Sequence, residues 1–192
     1  MNNVKNVILC GVGGQGTILA SKILSTCLID AGYDVKMSEI HGMSQRGGNV
    51  TTQVRYGDKV YSPIIGKGSA DVLVSFEKLE ALRNLEDVRV DGGTVIINDY
   101  AIPSLPTLQG MMEYPDDAAD RVCALVKDTK IIDATGMATD LGNPKAANVV
   151  LLGATVKALG LGDLDWDSAL EQCVKPKFLE MNKKAFKVGL EA

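Results

Sequence analysis

Most of the chemistry this chain can offer lies in one run, Glu39-Ile-His-Gly-Met-Ser-Gln-Arg-Gly-Gly-Asn49. Arg46 follows Ser44 and Gln45 and precedes Gly47 and Gly48. Glycines beside an arginine let a backbone approach an anion while the guanidinium clamps it. His41 is the single histidine and the side chain whose ordinary titration falls nearest neutrality. The bland alternative is that His41 and Arg46 only make hydrogen bonds that shape a long loop. A second run, Cys10-Gly-Val-Gly-Gly-Gln-Gly-Thr17, carries Gly11, Gly13, Gly14, Gln15 and Gly16. Such a turn passes sharply from strand to helix and leaves amide N–H groups facing a phosphate at the helix N-terminus. The same turn also serves where a helix merely packs closely on a strand, so alone it does not separate the two uses. A dinucleotide site further wants an acid at the end of the second strand, about 20 residues on, and Glu39 stands at that distance from Gly16. No Gly-x-Ser-x-Gly elbow, Cys/His partnership or carboxylate pair is visible, which argues against a self-contained hydrolase. Asp133-Ala-Thr-Gly136, at the end of an apolar run, is placed like a ligand loop, although glycine after a strand is commonly only a turn.

The elements that must position these residues read as alternating strands and helices. Asn6 to Cys10 is apolar and extended, Gln15 to Ala31 carries apolar residues at helical spacing (Ile18, Leu19, Ile23, Leu24, Cys27, Leu28), and Asp34 to Ile40 is extended again. That is a βαβ unit, with Gly32 closing the helix. Both loops would then lie side by side at the carboxyl edge of a parallel sheet, where open α/β folds bind ligands. Asn49 to Arg55 is rich in Thr and Val, Tyr56-Gly-Asp-Lys59 reads as a turn and Val60 to Ser62 as a return, so a β-hairpin ended by Pro63 is expected. Further strands are expected at 71–76, 93–98 and 130–133, with helices over 77–85 and 116–126. Residues 101–115 hold three prolines and read as an irregular connection. Asn143-Pro144 opens a helix, and the segment from Ala146 to Val156 is apolar nearly all round, so it must be buried under the sheet or in a subunit contact. The expected fold class is therefore α/β: a Rossmann-like, open, mostly parallel sheet with an inserted β-hairpin and helices on both faces.

At 192 residues the chain suits a single domain, residues 1–192. A net charge of -4 gives no basic surface for nucleic acid, so none is expected as a partner. Lys175, Lys177, Lys183, Lys184 and Lys187 gather on an expected C-terminal helix, as a solvated face or as a patch for an anionic ligand. Cys10, Cys27, Cys123 and Cys173 are widely spaced, and with one histidine the chain offers no metal or iron–sulfur ligand set of its own. No signal core or membrane-length apolar run is visible, and free thiols fit a reducing cytoplasm, so a cytoplasmic protein away from membranes is expected. Met43, Met111, Met112 and Met137 read as gap-fillers or interface residues, and Trp166 as a core cover at a helix start.

The glycine turn at 11–16, the Glu39 to Gly48 block, Gln53-Val-Arg55, Ser62-Pro63, Gly68-Ser-Ala-Asp71 and Glu77-x-x-Glu-Ala-Leu-Arg83 together resemble the gamma-type subunit or domain of 2-oxoacid:ferredoxin oxidoreductases. Within that group the likeness is to the indolepyruvate type, and it is strongest from residue 7 to residue 100. The resemblance implies a subunit of an enzyme that oxidatively decarboxylates a 2-oxoacid with coenzyme A, giving an acyl-CoA, carbon dioxide and reduced ferredoxin. It further implies no catalytic residue and no resident cofactor in this chain. Thiamine diphosphate and iron–sulfur clusters would be carried by a partner subunit, and coenzyme A would be a shared substrate. Gly11, Gly13, Gly14, Gln15 and Gly16, with Ser44, Gln45, Arg46, Gly47 and Gly48, are the positions onto which a coenzyme A or substrate approach would fall. A stand-alone NAD-like nucleotide module using the glycine turn and Glu39, or a purely structural assembly subunit, are the other expectations the residues allow.

Overall fold

A computed structural model describes residues 3–41 and 48–192. In chain order the elements are β1 (Lys5–Val12), α1 (Thr17–Asp30), β2 (Asp34–His41), β3 (Asn49–Gly57), β4 (Val72–Ser75), α2 (Lys78–Arg83), β5 (Thr94–Asn98), α3 (Leu105–Leu108), α4 (Ala118–Leu125), β6 (Thr129–Ile132), α5 (Ala134–Asp140), α6 (Ala147–Leu159), α7 (Trp166–Cys173) and α8 (Pro176–Glu191). The six strands form one sheet in the order β2-β3-β1-β4-β5-β6. The run β1-β4-β5-β6 is parallel throughout, and β3 is antiparallel to both of its neighbours. The expected mostly parallel α/β sheet is therefore present.

The expected hairpin over 49–62 is not. Its first limb is β3, but β3 pairs with β2 on one side and β1 on the other, and Val60 to Ser62 forms no strand. The physical reason lies in the polar residues of β3. Arg55 donates through Nη1 to the carbonyls of Ser62 (2.9 Å) and Ile64 (3.0 Å), and Gln53 Oε1 accepts from the amide of Ile65 (2.8 Å). Side chains thus hold the returning segment across one face of the sheet, where Ile65 joins the core. The βαβ reading of residues 6–40 changes accordingly: β3 is wedged between β1 and β2, so these two run in the same direction without touching.

Alternation along the strands feeds two cores. Val7, Leu9, Val54, Val72, Val74 and Ile96 point to one face, which is covered by α1 and by α5 to α8. Ile8, Cys10, Leu73, Val95 and Ile97 point to the other, covered by α2 and α4. On α1, Ile23, Leu24 and Leu28 are fully buried, each contributing about 1.5–3 kcal/mol through the area removed from water. Helix α6 is buried from Asn148 to Val156 and packs against α1, α5, α8, β4 and β5. Of its two expected settings, it takes the internal one. Its crossing with α8 depends on Gly153 and Gly189: a Cβ at Gly189 would overlap the carbonyl of Val150, and one at Gly153 the carbonyl of Phe186. Trp166 covers this core as expected, stacked on Phe186 with centroids 5.3 Å apart and donating from Nε1 to the Leu161 carbonyl (2.8 Å). Met111 and Met112 are exposed rather than gap-filling, Met137 packs on the core, and Met43 lies outside the described residues.

Candidate functional site

The glycine turn is built by a clasp. Gln15 folds back so that its Oε1 accepts from the Val12 amide (2.7 Å), while its Nε2 donates to the Phe76 carbonyl just beyond β4 (2.8 Å). The side chain that closes the turn thereby bolts it to the neighbouring strand. Gly11 lies within β1, and a Cβ there would come within 2.7 Å of Gln15 Oε1 and 2.9 Å of Phe76 Cβ, so its bareness serves this clasp. Gly13 donates its amide to the carbonyl of Gly48 (2.9 Å), which joins the start of the turn to the described end of the second loop. Gly16 is the N-cap of α1 with a left-handed φ of 85°. A side chain there would run into Asn148 of α6, whose Nδ2 donates back to the Gly16 carbonyl (3.3 Å). Having no side chain, Gly16 leaves the first-turn amides of α1 without a side-chain cap.

In front of this helix end lies a cavity of about 410 Å³, lined by Gly14, Gln15, Gly16, Leu19, Phe76, Asn98, Tyr100, Thr135, Pro144, Lys145, Ala147 and Asn148. The N-terminal turns of α1 and α6 both reach it, so the partial positive charge of two helices falls on one space. Lys145 adds a cation at the rim, from the 3-10 turn Pro144–Ala146, which Asn143 caps by accepting the Lys145 amide (3.0 Å). The far wall is the end of β5 and the start of α5. There Asn98 donates from Nδ2 to the Phe76 carbonyl (3.2 Å) and to Thr135 Oγ1 (3.0 Å). A second cavity of about 410 Å³ adjoins the first, shares Leu19, Lys145 and Asn148 with it, and extends toward Lys175 and Phe178. None of the residues lining the first cavity is a cysteine, histidine, aspartate or glutamate. The arrangement sets helix N-termini and a cation against an apolar wall, and Lys145, Tyr100 and Thr135 are its titratable or hydroxyl-bearing side chains.

The sequence-expected residues divide on this geometry. Gly14, Gln15 and Gly16 line the cavity, Gly11 and Gly13 support the turn from behind, and Gly48 touches Gly13. Ser44, Gln45, Arg46 and Gly47 lie outside the described residues, as does the side chain of His41. Glu39 is in register with Thr52 and, through it, with Leu9, so β3 separates it from the glycine turn by two strand spacings, about 10 Å. The ribose role that a dinucleotide site would give it has no support here. Thr135, from the Asp133 loop, does reach the cavity, whereas Asp133 itself caps α5 by accepting the Gly136 amide (2.7 Å). Sequence reasoning passed over Asn98, Tyr100, Lys145 and Asn148. One signal was present for Asn98, a polar residue ending the apolar strand Thr94–Asn98; Asn148, inside the most apolar helix, was another.

Several residues that carry the family resemblance turn out to be scaffolding on the opposite face. Glu77 is buried and caps α2 by accepting the Glu80 amide (2.9 Å), and its other oxygen accepts from the Ile102 amide (3.1 Å) and the Tyr114 hydroxyl. Glu80 is buried beside Arg83, and burial pushes its carboxyl above the usual carboxylate range. Cys10 lies 3.4 Å from Ser75 Oγ, and burial pushes its thiol far above the ordinary range, so it is an inert core group. Among the described residues no cluster of three His, Cys, Asp or Glu could hold a metal ion, and no helix is long and apolar enough to cross a membrane. Lys183 pairs with Glu171 (2.8 Å) and Asp167 (3.8 Å), and the other lysines of the late cluster are exposed, with Lys175 bordering the second cavity.

The sheet is mostly parallel, and its first strand ends in a glycine turn at a helix N-terminus with a cavity in front of it. The family model for pyruvate ferredoxin/flavodoxin oxidoreductase matches residues 6–192, and the chain belongs to that family. It is 38% identical to the indolepyruvate oxidoreductase subunit IorB of Pyrococcus horikoshii, over 97% of this chain and 95% of that one. It is 29% identical to the common subunit gamma of the pyruvate/ketoisovalerate oxidoreductases of Thermococcus kodakarensis, over 91% of this chain and 89% of that one. Among solved structures, the gamma subunit of a keto/oxoacid ferredoxin oxidoreductase from Geobacter sulfurreducens has the same fold, with a TM-score of 0.70 at 24% identity over 97% and 96% of the two chains. So does 2-oxoglutarate:ferredoxin oxidoreductase from Magnetococcus marinus, solved with 2-oxoglutarate, coenzyme A and succinyl-CoA bound, at a TM-score of 0.72 and 18% identity. There this chain matches over 98% of its length and covers 30% of the other. The chain is a subunit of a heteromeric 2-oxoacid:ferredoxin oxidoreductase.

Proposed function

We propose that this subunit serves a cytoplasmic indolepyruvate-type oxidoreductase and shapes the approach of coenzyme A to it. In this reading a partner subunit carries thiamine diphosphate and the iron–sulfur clusters, and the assembled complex passes electrons to ferredoxin. The reaction is the oxidative decarboxylation of an aryl pyruvate with coenzyme A, giving an acyl-CoA, carbon dioxide and reduced ferredoxin. The observation that carries the proposal is the cavity at the α1 N-terminus, which combines two helix N-termini and Lys145 and is lined by no cysteine, histidine, aspartate or glutamate. Coenzyme A carries a pyrophosphate and a 3′-phosphate on an otherwise long and partly apolar molecule, so an anion-attracting helix end beside an apolar wall fits it. The chain's own share is to bind and orient: Gly14 and Gly16 let the pyrophosphate come close to backbone amides, Lys145 balances its charge, and Leu19 and Ala147 exclude water from the same space. Arg46, and with it Ser44, Gln45, Gly47 and Gly48, would complete the clamp from the second loop.

The test is reconstitution with the cluster-bearing, thiamine-dependent partner, following indolepyruvate- and coenzyme A-dependent dye reduction. Activity is expected only when both chains are present. Lys145→Ala is expected to raise the KM for coenzyme A about tenfold at unchanged KM for the 2-oxoacid, the loss appropriate to one charge-assisted contact. An assembled complex whose coenzyme A requirement is untouched by Lys145→Ala and by Arg46→Ala would remove this cavity from the reaction.

A further inference from the structure

Residues 101–115 leave the end of β5 and return toward α4, and both ends of this connection are pinned to one carboxylate oxygen. Glu77 is buried, and its Oε1 accepts the Ile102 amide (3.1 Å) at the start and the Tyr114 hydroxyl at the finish. Between the pins the backbone is folded on itself: the Gln109 amide donates to the Leu105 carbonyl (3.0 Å) and the Met111 amide to the Pro106 carbonyl (2.9 Å). A connection held in this way could turn its large side chains inward. Instead Leu105, Leu108, Met111 and Met112 are 67%, 71%, 74% and 63% exposed. Among the described residues none of the four packs on either core. Four large apolar side chains exposed within eight residues differ from scattered surface hydrophobics, and such a patch marks contact with another molecule.

Position and charge say what covers it. Tyr100, just ahead of the connection, lines the first cavity, and so does Phe76, next to the pinning Glu77. The patch is thus anchored at the wall of a cavity whose ligand, on the coenzyme A reading above, reacts on a cofactor held by another subunit. That subunit has to sit over the cavity mouth. From residue 100 to residue 120 there is no lysine or arginine, and Glu113, Asp116, Asp117 and Asp120 are exposed at the far end of the patch. A two-fold contact with a second copy would bring the same four carboxylates to the interface twice, with no cation in the segment to answer them.

We propose that residues 104–113 dock the thiamine-dependent, cluster-bearing partner subunit, in an apolar hollow of that subunit edged by lysine or arginine, and hold it against the cavity mouth. The inference rests on the coenzyme A reading for what the partner does there.

The test titrates the full chain into that partner, read as binding by interferometry and as indolepyruvate- and coenzyme A-dependent dye reduction. Leu108→Asp and Met111→Asp are each expected to weaken assembly about thirtyfold with the urea midpoint unchanged; Leu108→Ser serves if an aspartate moves the midpoint. Val90→Asp, at a lone exposed apolar residue outside the segment, should assemble within about twofold of the unmodified chain. Glu113→Lys with Asp116→Lys should slow association about tenfold at low salt, and added salt should shrink the difference. Excess Leu108→Asp chain should restore the rate with the KM for coenzyme A within about twofold, because docking is impaired and the cavity is not. A raised KM at saturating subunit would overturn the docking role, as would folded Leu108→Asp and Met111→Asp chains that assemble normally. Variants that lose self-association of the isolated chain in sedimentation but still join the partner would assign the patch to a second copy instead. In each of these cases a coenzyme A requirement raised by Lys145→Ala keeps the coenzyme A reading. If the unmodified chain neither joins the partner nor supports activity, both fall.

Discussion

The two faces of the sheet are built on different principles. One carries α1 and α5 to α8 over an apolar core in which even the backbones of α6 and α8 touch at Gly153 and Gly189. The other carries α2 and α4 over a smaller core, and there buried polar groups do much of the joining: Glu77 holds the α2 start, the 102 region and Tyr114 at once, and Gln53 and Arg55 hold the crossing segment. The difference teaches why the cavity is where it is. The two helices whose N-termini reach the cavity, α1 and α6, belong to the larger apolar face, where close packing leaves them little room to slide.

Gly189→Ala tests the contrast most severely. The added methyl must push α8 off the Val150 carbonyl, and the expected destabilisation is about 3 kcal/mol or more, read as a fall in the urea midpoint with the slope unchanged. Leu151→Ala and Leu73→Ala then compare the faces with equal chemistry, since both leucines are fully buried. Leucine truncations span about 2–5 kcal/mol according to how well the site collapses. The rigid face should put Leu151 near the top of that range and the looser face should put Leu73 nearer the bottom; equal losses would erase the distinction. The smallest effect is a pH dependence on the polar face. Burial raises the Glu80 carboxyl pKa in the folded state, so the native chain holds that proton longer than the unfolded one. Its contribution to stability is full below the ordinary carboxylate pKa and is lost as pH rises through the raised value. Urea midpoints measured from about pH 4 to pH 7 should show a declining component that Glu80→Gln removes; identical profiles would mean Arg83 compensates the burial.

How much of this was legible follows from which signals are local. The strand–turn–helix at residues 5–30, the Asn143 start and the buried character of α6 depend on spacing along the chain, and the sequence shows them directly. The position of β3 does not, because Thr and Val alternate in the same way whether a strand returns as a hairpin or slips between two others. Its placement is decided by Gln53 and Arg55 reaching residues 62–65, contacts that no period reveals. The candidate site shows the same division. The glycine turn was legible as a motif, whereas Asn98 and Lys145 come to it from separate elements, through a parallel sheet whose strand order the sequence does not print.

The wedging of β3 also constrains the order in which the sheet can assemble. β2 and β3 are joined by a short connection and can zip on a local timescale of microseconds, but β1 precedes them by a helix and pairs onward with β4 some 65 residues later. Were β1 and β2 to meet first, as neighbours across α1, β3 would be shut out of the sheet. If the β2–β3 pair forms first and docks onto β1 second, substitutions at Val54, where that edge meets β1 and its core, should slow folding more than they speed unfolding; the opposite pattern in stopped-flow rates would place β3 among the last elements to join.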